Sequence, residues 1–123
     1  MQDFKHIRAW QRAHALAIAL HKRAHSFPSP EYSHLRSQLT RAAESIAATI
    51  VEGCGAATNK EFARFLDMSI KSANETEHHL LSARDYELIS LDEWQCHTAE
   101  TIEIRKMIYS YHKKVIQTDR GET

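Results

Sequence analysis

Apolar residues recur every three or four positions along most of the chain, which is the period of an amphipathic α-helix. The first such run extends from Phe4 to about His25, behind a candidate N-cap at Asp3. Its apolar stripe consists of Trp10, Ala13, Ala17, Leu20 and Ala24, flanked by Ile7 and Ile18. Two prolines then end this helix, and Pro30 suits the first position of the next because proline lacks the N–H that would be unpaired there.

The second run extends from Pro30 to about Glu52. Its stripe consists of Leu35, Leu39, Ala42, Ala43, Ile46 and Ile50. Gly53 and Gly55 follow, and glycine readily adopts the left-handed conformation that often ends a helix. We therefore expect the second helix to end there in a tight turn.

Capping boxes mark two further helix starts. In a capping box the side chain of the first residue accepts a hydrogen bond from the backbone N–H three positions later, and the side chain of that later residue accepts one from the first residue's N–H. Thr58 and Glu61 form the first box, and Ser90 and Glu93 form the second. The third helix is predicted to run to about Glu87, with a stripe of Phe62, Leu66, Ser69, Ile70, Ala73, Thr76 and Leu80.

The fourth helix is predicted to run to about Ile116, with a stripe of Trp94, Ile104, Ile108, Tyr111 and Val115, and a polar tail follows from about Gln117. Short connections between long helices make neighbours run antiparallel. The sequence therefore predicts an all-α protein, an antiparallel up-down-up-down four-helix bundle that forms a single domain over residues 1–123. With only 3 Gly and 2 Pro, a sandwich or barrel of many short strands is excluded.

A second apolar row exceeds what a monomeric bundle needs. On the fourth helix it lies about 100° from the core stripe, and the first helix adds apolar residues on its flanks. An apolar helix face of this kind either widens the core or packs against another subunit. We expect homo-oligomerisation through Leu16, Ile18, Ile102, Tyr109 and Ile116.

The net charge is zero, since 16 basic and 16 acidic side chains cancel, but the charges are unevenly distributed. Residues 1–30 are basic, residues 75–103 are mostly acidic, and residues 105–114 are basic again. In an antiparallel bundle this pattern gives one basic and one acidic end. The basic end predicts a surface for the phosphates of RNA or DNA, made of Lys5, Arg8, Arg12, Lys60, Arg64, Lys106, Lys113 and Lys114. The alternative is a solvated surface that only orders the oligomer.

Candidate chemistry is sparse. Two Glu-x-x-His pairs, Glu31/His34 and Glu75/His78, are reminiscent of di-iron bundles, but helical geometry turns Glu75 and His78 toward solvent. No nucleophile elbow or phosphate-binding glycine loop occurs, and Cys54 is too far from Cys96 for a disulfide. The sequence therefore predicts no enzyme, cofactor or metal, and a cytoplasmic location without a membrane span.

Several polar side chains interrupt the second helix. They are Gln38, Arg41, Ser45 and Glu52. Such residues either hydrogen-bond between helices or form a polar interface for a partner, where the planar guanidinium of Arg41 would pair with a carboxylate. Both interpretations stay open at this point.

The motifs of the chain resemble a family. They are Phe4-x-x-Ile7-x-Ala9-Trp10-Gln11-x-Ala13, the segment from Gln38 to Gly53 with its Ile50-Val51-Glu52-Gly53 end, Lys60-Glu61-Phe62-x-Arg64-Phe65-Leu66, and Ser72-x-x-Glu75. This pattern resembles the bacterial four helix bundle proteins, whose founding members are encoded in intervening sequences of 23S ribosomal RNA genes. The accessory subunits of diversity-generating retroelements are similar to that family. Thr49 departs from the family's usual Asn, and Lys71-Ser72 from its usual Gly-Ser.

The resemblance implies a cytoplasmic bacterial protein that assembles as a ring of five bundles. For retroelement members it also implies nucleic-acid binding beside a reverse transcriptase, whereas most other members have no established function. We therefore expect a non-enzymatic, pentameric interaction protein that binds RNA or DNA non-specifically. The alternative is a scaffold oligomer that recruits a protein partner without binding nucleic acid.

Overall fold

The structure, a computed structural model, describes residues 2–119 and confirms the all-α four-helix bundle. A 3-10 turn at Phe4–His6 precedes four helices: α1 (Arg8–Ala24), α2 (Ser33–Cys54), α3 (Asn59–Asp85) and α4 (Leu91–Asp119). Each helix packs against the next along the chain, and α1 also contacts α4. The ends of α2 and α4 therefore lie beside the starts of α1 and α3, as the antiparallel prediction requires.

The predicted stripes form the core. The largest side chains buried almost completely are Leu20, Leu39, Ile46, Ile50, Leu66, Leu80, Ile104 and Ile108. Three hydroxyl residues join them, and two satisfy their oxygens within their own helix: Thr76 donates to Ser72 O at 2.9 Å and Thr101 to His97 O at 2.7 Å. Burial without such partners would be costly.

The start of the first helix was predicted wrongly. The Asp3 carboxylate accepts from the N–H of Lys5, so Asp3 caps the 3-10 turn and not the helix. Ile7 then takes an extended conformation and buries its side chain, and α1 begins only at Arg8. The apolar pattern continues through this break because both sides of it face the core.

Pro30 is not the first residue of the second helix, as the sequence suggested. The N–H of Tyr32 donates to Pro28 O at 2.9 Å, and the N–H of Ser33 donates to Pro30 O at 3.2 Å. These bonds fold residues 28–33 into turns, so α2 begins at Ser33.

The glycines after Glu52 act differently from the prediction. Gly55 has φ of −87°, so it is not left-handed, and α2 continues to Cys54. Gly53 lies inside the helix at its closest approach to α3: a Cβ there would lie 2.7 Å from Phe62 Cδ1 and 3.1 Å from Phe65 Cβ. A residue with a side chain would have to displace the Phe62 ring, so glycine packs better at this position.

The other helix ends are close to their predicted places. Thr58 Oγ1 accepts from the N–H of Glu61, but the Glu61 carboxylate bonds Arg64, so only half of this capping box forms. The Ser90/Glu93 box forms in both directions. α3 ends at Asp85 in a Schellman motif, with Glu87 at φ of 61°.

The predicted polar tail begins later than expected. Gln117 and Thr118 belong to α4, where Thr118 Oγ1 donates to Lys114 O at 2.9 Å. Residues 120–123, the remainder of that tail, lie outside the described residues.

We predict that Gly53→Ala lowers the free energy of unfolding by about 1–2 kcal/mol, because the new methyl group forces Phe62 out of its place. Urea unfolding followed by circular dichroism at matched protein concentration measures the change.

Gly55→Ala is the matched control. Its Cβ would meet only Glu52 O at 3.5 Å, and its φ is one that alanine adopts, so stability should stay equal or rise by up to about 1 kcal/mol. Equal stability of the two variants would contradict the close approach of α2 and α3.

Candidate nucleic-acid interface

Cationic side chains from three parts of the chain meet at one end of the bundle. We call this set the basic end: Lys5, Arg8, Lys60, Lys113 and Lys114, all exposed. A groove of about 500 Å³ between the N-terminal segment and α4 is lined by both Arg8 and Lys114. Lys114 also lines a cavity beside the α2–α3 connection, so this residue lies between the N-terminal segment and that connection. Lys106 is exposed as well but lies roughly 12 Å from Lys114, nearer the start of α4 and away from this end of the bundle.

Two predicted phosphate-binding arginines are already paired within the chain. Arg12 makes a two-pronged contact with Glu100 of α4, with Nε 2.9 Å from Oε2. Arg64 bonds Glu61 one turn before it, at 2.7 Å. These pairs raise the arginine pKa values and hold the pKa of both carboxyls below its usual range. Arg12 therefore joins α1 to α4, and Arg64 contributes little net charge to the surface.

Among the side chains of residues 2–118, the five members of the basic end form no ion pair. The Asp3 carboxylate accepts a hydrogen bond from the backbone N–H of Lys5 and forms no ion pair with the Lys5 ammonium group. The other carboxylate oxygen of Asp3 lies 3.4 Å from Nε2 of His6. Glu52 is exposed at the same end, at the last turn of α2. Cationic side chains thus outnumber carboxylates at this end.

The opposite end is less acidic than the sequence indicated. Arg23 of α1 donates to Glu93, to Leu88 O at 2.9 Å and to Ser26 Oγ at 2.7 Å. Arg84 also pairs with Asp85 at 2.9 Å. The hydrogen bonds from Arg23 and from the N–H of Ser90 lower the pKa of Glu93 to about 2. Asp92 and Glu87 stay exposed, so an acidic excess remains there.

The predicted polar interface on α2 divides into two kinds of residue. Ser45 is half-buried and its Oγ lies 2.8 Å from Ser72 Oγ of α3. Gln38 is also half-buried, whereas Arg41 and Glu52 are exposed. Ser45 thus joins α2 to α3, whereas the Arg41 side chain forms no ion pair or hydrogen bond with the described side chains of residues 2–118.

Thr49, which stands where the resemblance implies Asn, is buried and donates to Ser45 O at 2.7 Å. Ser69 of α3 donates across to Ile46 O of α2 at 2.7 Å. This stretch of α2 therefore faces α3.

The residues predicted for the oligomer interface differ in how far they are exposed to solvent. Tyr109 and Ile18 are 58% and 46% exposed, and Leu91, which lies five turns before Tyr109 on the same face of α4, is 60% exposed. Ile102 and Ile116 are half-buried. Leu16 departs from the prediction: it is 5% exposed and packs in the core, because α1 turns this flank toward its neighbours.

Glu31, His34, Glu75 and His78 are all exposed, as the helical geometry predicted for the last two. Within residues 2–119, no group of three or more His, Cys, Asp or Glu side chains is arranged to hold a metal ion. Both cysteines are free thiols, Cys54 buried and Cys96 exposed, and burial raises the pKa of Cys54. None of the helices described there has the length and apolarity needed to cross a membrane.

The fold and its surface define a class: an antiparallel four-helix bundle with a cationic end built from three parts of the chain. The family of 23S rRNA-intervening sequence proteins matches residues 5–110, and the chain belongs to this family. A solved structure of a protein of unknown function from the S23 ribosomal protein family of Bacteroides thetaiotaomicron has the same fold. Its TM-score is 0.80 at 24% identity, over 85% of this chain and 95% of that one. No curated protein matches significantly.

Sequence reasoning missed Arg23 and Arg36. Arg23 bonds the α3–α4 connection, and Arg36 lines a groove with Arg41 between α1 and α2. The sequence carries no clear signal for Arg36, because a spacing of five positions places it about 140° around α2 from Arg41, and the shared groove exists only when α1 packs on α2.

We predict that Glu93→Gln destabilises the fold near pH 7 by about 1 kcal/mol, a value reduced for the solvent screening of this partly exposed pair. The folded pKa lies below the unfolded one, so the carboxylate stabilises the fold above about pH 4.5 and loses this effect as the pH falls toward 2. The difference in unfolding free energy between variant and parent should therefore shrink over that range. A difference that is constant from pH 6 to pH 2.5 would refute the role of the charge.

Proposed function

We propose that this protein is a non-enzymatic, homo-oligomeric protein of the cytoplasm that binds RNA or DNA non-specifically through its basic end. One observation carries the proposal: five exposed cationic side chains from three parts of the chain share one end and have no ion-pair partner among the described residues. The chain has zero net charge, so this cluster exists because the basic and acidic side chains are unevenly distributed along the bundle.

The expected ligand is the phosphate backbone. Lysine side chains make point-charge contacts to phosphates, and each neutralised phosphate releases counterions. Such contacts position a nucleic acid but carry no sequence information. Non-specific binding with strong salt dependence follows from these contacts.

Assembly would multiply this effect. The family resemblance implies a ring of five, and the exposed apolar side chains of Leu91, Tyr109 and Ile18 are surfaces that a neighbouring subunit would cover. A parallel ring would collect several basic ends on one face. The affinity of the ring for a long polyanion would then exceed that of one bundle.

A second candidate function rests on the same apolar surface. If Leu91 and Tyr109 receive a different protein, the bundle is a scaffold that recruits a partner and binds no nucleic acid. The two experiments below separate these functions.

We predict that Lys113→Glu/Lys114→Glu weakens binding to a single-stranded RNA by at least about tenfold at low salt, because two phosphate contacts are lost and two repulsive charges added. The slope of log K against log salt should become shallower by about one to two units. Fluorescence anisotropy across a salt titration measures both quantities.

The double variant Lys22→Glu/Lys71→Glu is the matched control. It changes the net charge equally but at exposed positions outside the basic end, so binding should fall much less. Parent affinity weaker than about 100 μM at low salt, or an equal loss in both variants, would refute binding through the basic end.

We predict that Tyr109→Asp converts the oligomer into smaller species, because it puts a charge into the apolar row that a neighbour would cover. Light scattering coupled to size-exclusion chromatography measures the mass. Leu81→Asp, at an exposed apolar residue of α3 outside the predicted interface, should leave the mass unchanged. A parent protein that is monomeric at micromolar concentration would overturn the oligomer.

A further inference from the structure

A groove separate from the basic end lies between the second half of α1 and the first turns of α2. Its volume is about 350 Å³, which is within the range of small-molecule sites. The lining consists of His21, His25, Arg36, Ser37, Thr40 and Arg41. The residues that line the groove thus carry two permanent cations, two imidazoles and two hydroxyls, and none of them is a carboxylate.

The two arginines of this groove differ from most others in the chain. Five arginines each bond a carboxylate in the structure: Arg12, Arg23, Arg64, Arg84 and Arg105. Arg36 and Arg41 form neither an ion pair nor a side-chain hydrogen bond within residues 2–119, although Arg36 is half-buried. A guanidinium that has no partner within the chain keeps its N–H groups available for charge-assisted hydrogen bonds to an anion.

No acidic side chain of the neighbouring surface fills this role. Glu44, three residues after Arg41, lines the adjoining groove with Trp10 and Ile18. It is exposed and makes no ion pair within residues 2–119. His21 lines both grooves, so Glu44 borders the groove of Arg36 and Arg41 but forms no ion pair with either arginine.

We propose that this groove binds a phosphate group, held between the guanidinium groups of Arg36 and Arg41. Guanidinium forks match phosphate oxygens in pairs, and a phosphate monoester offers three acceptor oxygens with a charge near −2. The ring N–H groups of His21 and His25 and the hydroxyl of Ser37 are further donors at the groove. Thr40 is already committed, since its hydroxyl donates to Arg36 O at 2.8 Å.

The phosphate could come from a free nucleotide or from a nucleic-acid backbone, and the two sources can be told apart. We would titrate the full chain with inorganic phosphate, adenosine 5′-monophosphate and a short single-stranded RNA in calorimetry, with chloride holding the ionic strength constant. Arg36→Gln and Arg41→Gln should each weaken binding by at least about tenfold, because a charge-assisted pair of hydrogen bonds is lost. Lys71→Gln, at an exposed cation of α3 that belongs neither to the basic end nor to this groove, is the control and should leave the binding of all three probes unchanged.

The outcomes decide the proposal and its source. Loss of inorganic phosphate or mononucleotide binding in the two variants supports a site for a free phosphate compound, and loss of RNA binding alone supports a backbone contact. The proposal is overturned if neither substitution changes binding of any probe, or if the substitutions only dissolve the oligomer, which would assign the arginines to a neighbouring subunit's carboxylate. Lys113→Glu/Lys114→Glu should leave mononucleotide binding intact, so this site can fail or succeed independently of the basic end.

Discussion

The close approach of α2 to α3 is the contact on which the other helices depend. It requires glycine at position 53 against the ring of Phe62, and it is fixed by the bond from Ser69 Oγ to Ile46 O and by the Ser45–Ser72 contact. Hydroxyls on small side chains let two helices bond each other directly. α1 then packs on α2 and α4 on α3, so the pair sets the position of both outer helices.

The outer helices are joined to each other by charge as well as by packing. Arg12 binds Glu100, and Arg23 binds Glu93 together with Leu88 O, so two arginine forks connect α1 to α4 and to the connection before it. Arginine suits this role because its planar fork bonds a carboxylate through two nitrogens. Because these two arginines bond carboxylates between helices, they are not available at the surface, and four of the five cations at the basic end are lysines.

The helices and their core faces were predictable because their signal is local. Residues such as Leu66, Ile46 and Ile104 recur at the helical period, and that period does not depend on which helix lies opposite. The exact start of α1 at Arg8 was not predictable, since Ile7 is buried in an extended conformation that the same period accommodates. The role of Gly53 was missed for a related reason, because its cause is the ring of Phe62 on another helix.

The candidate site shows the same division between local and cross-helix information. The zero net charge conceals a separation along the bundle axis, and antiparallel connectivity was enough to place Lys60 and Lys114 at one end. Which cations are available there depends on contacts between helices, and those remove Arg12 from the surface set. Arg36 and Arg41, in contrast, stay available. The sequence pattern places them on a helix among other polar residues, and only the packing of α1 on α2 shows that no carboxylate joins them in their groove. The charges that the fold leaves unpaired, more than the charges that the sequence counts, therefore define where this bundle can hold an anion.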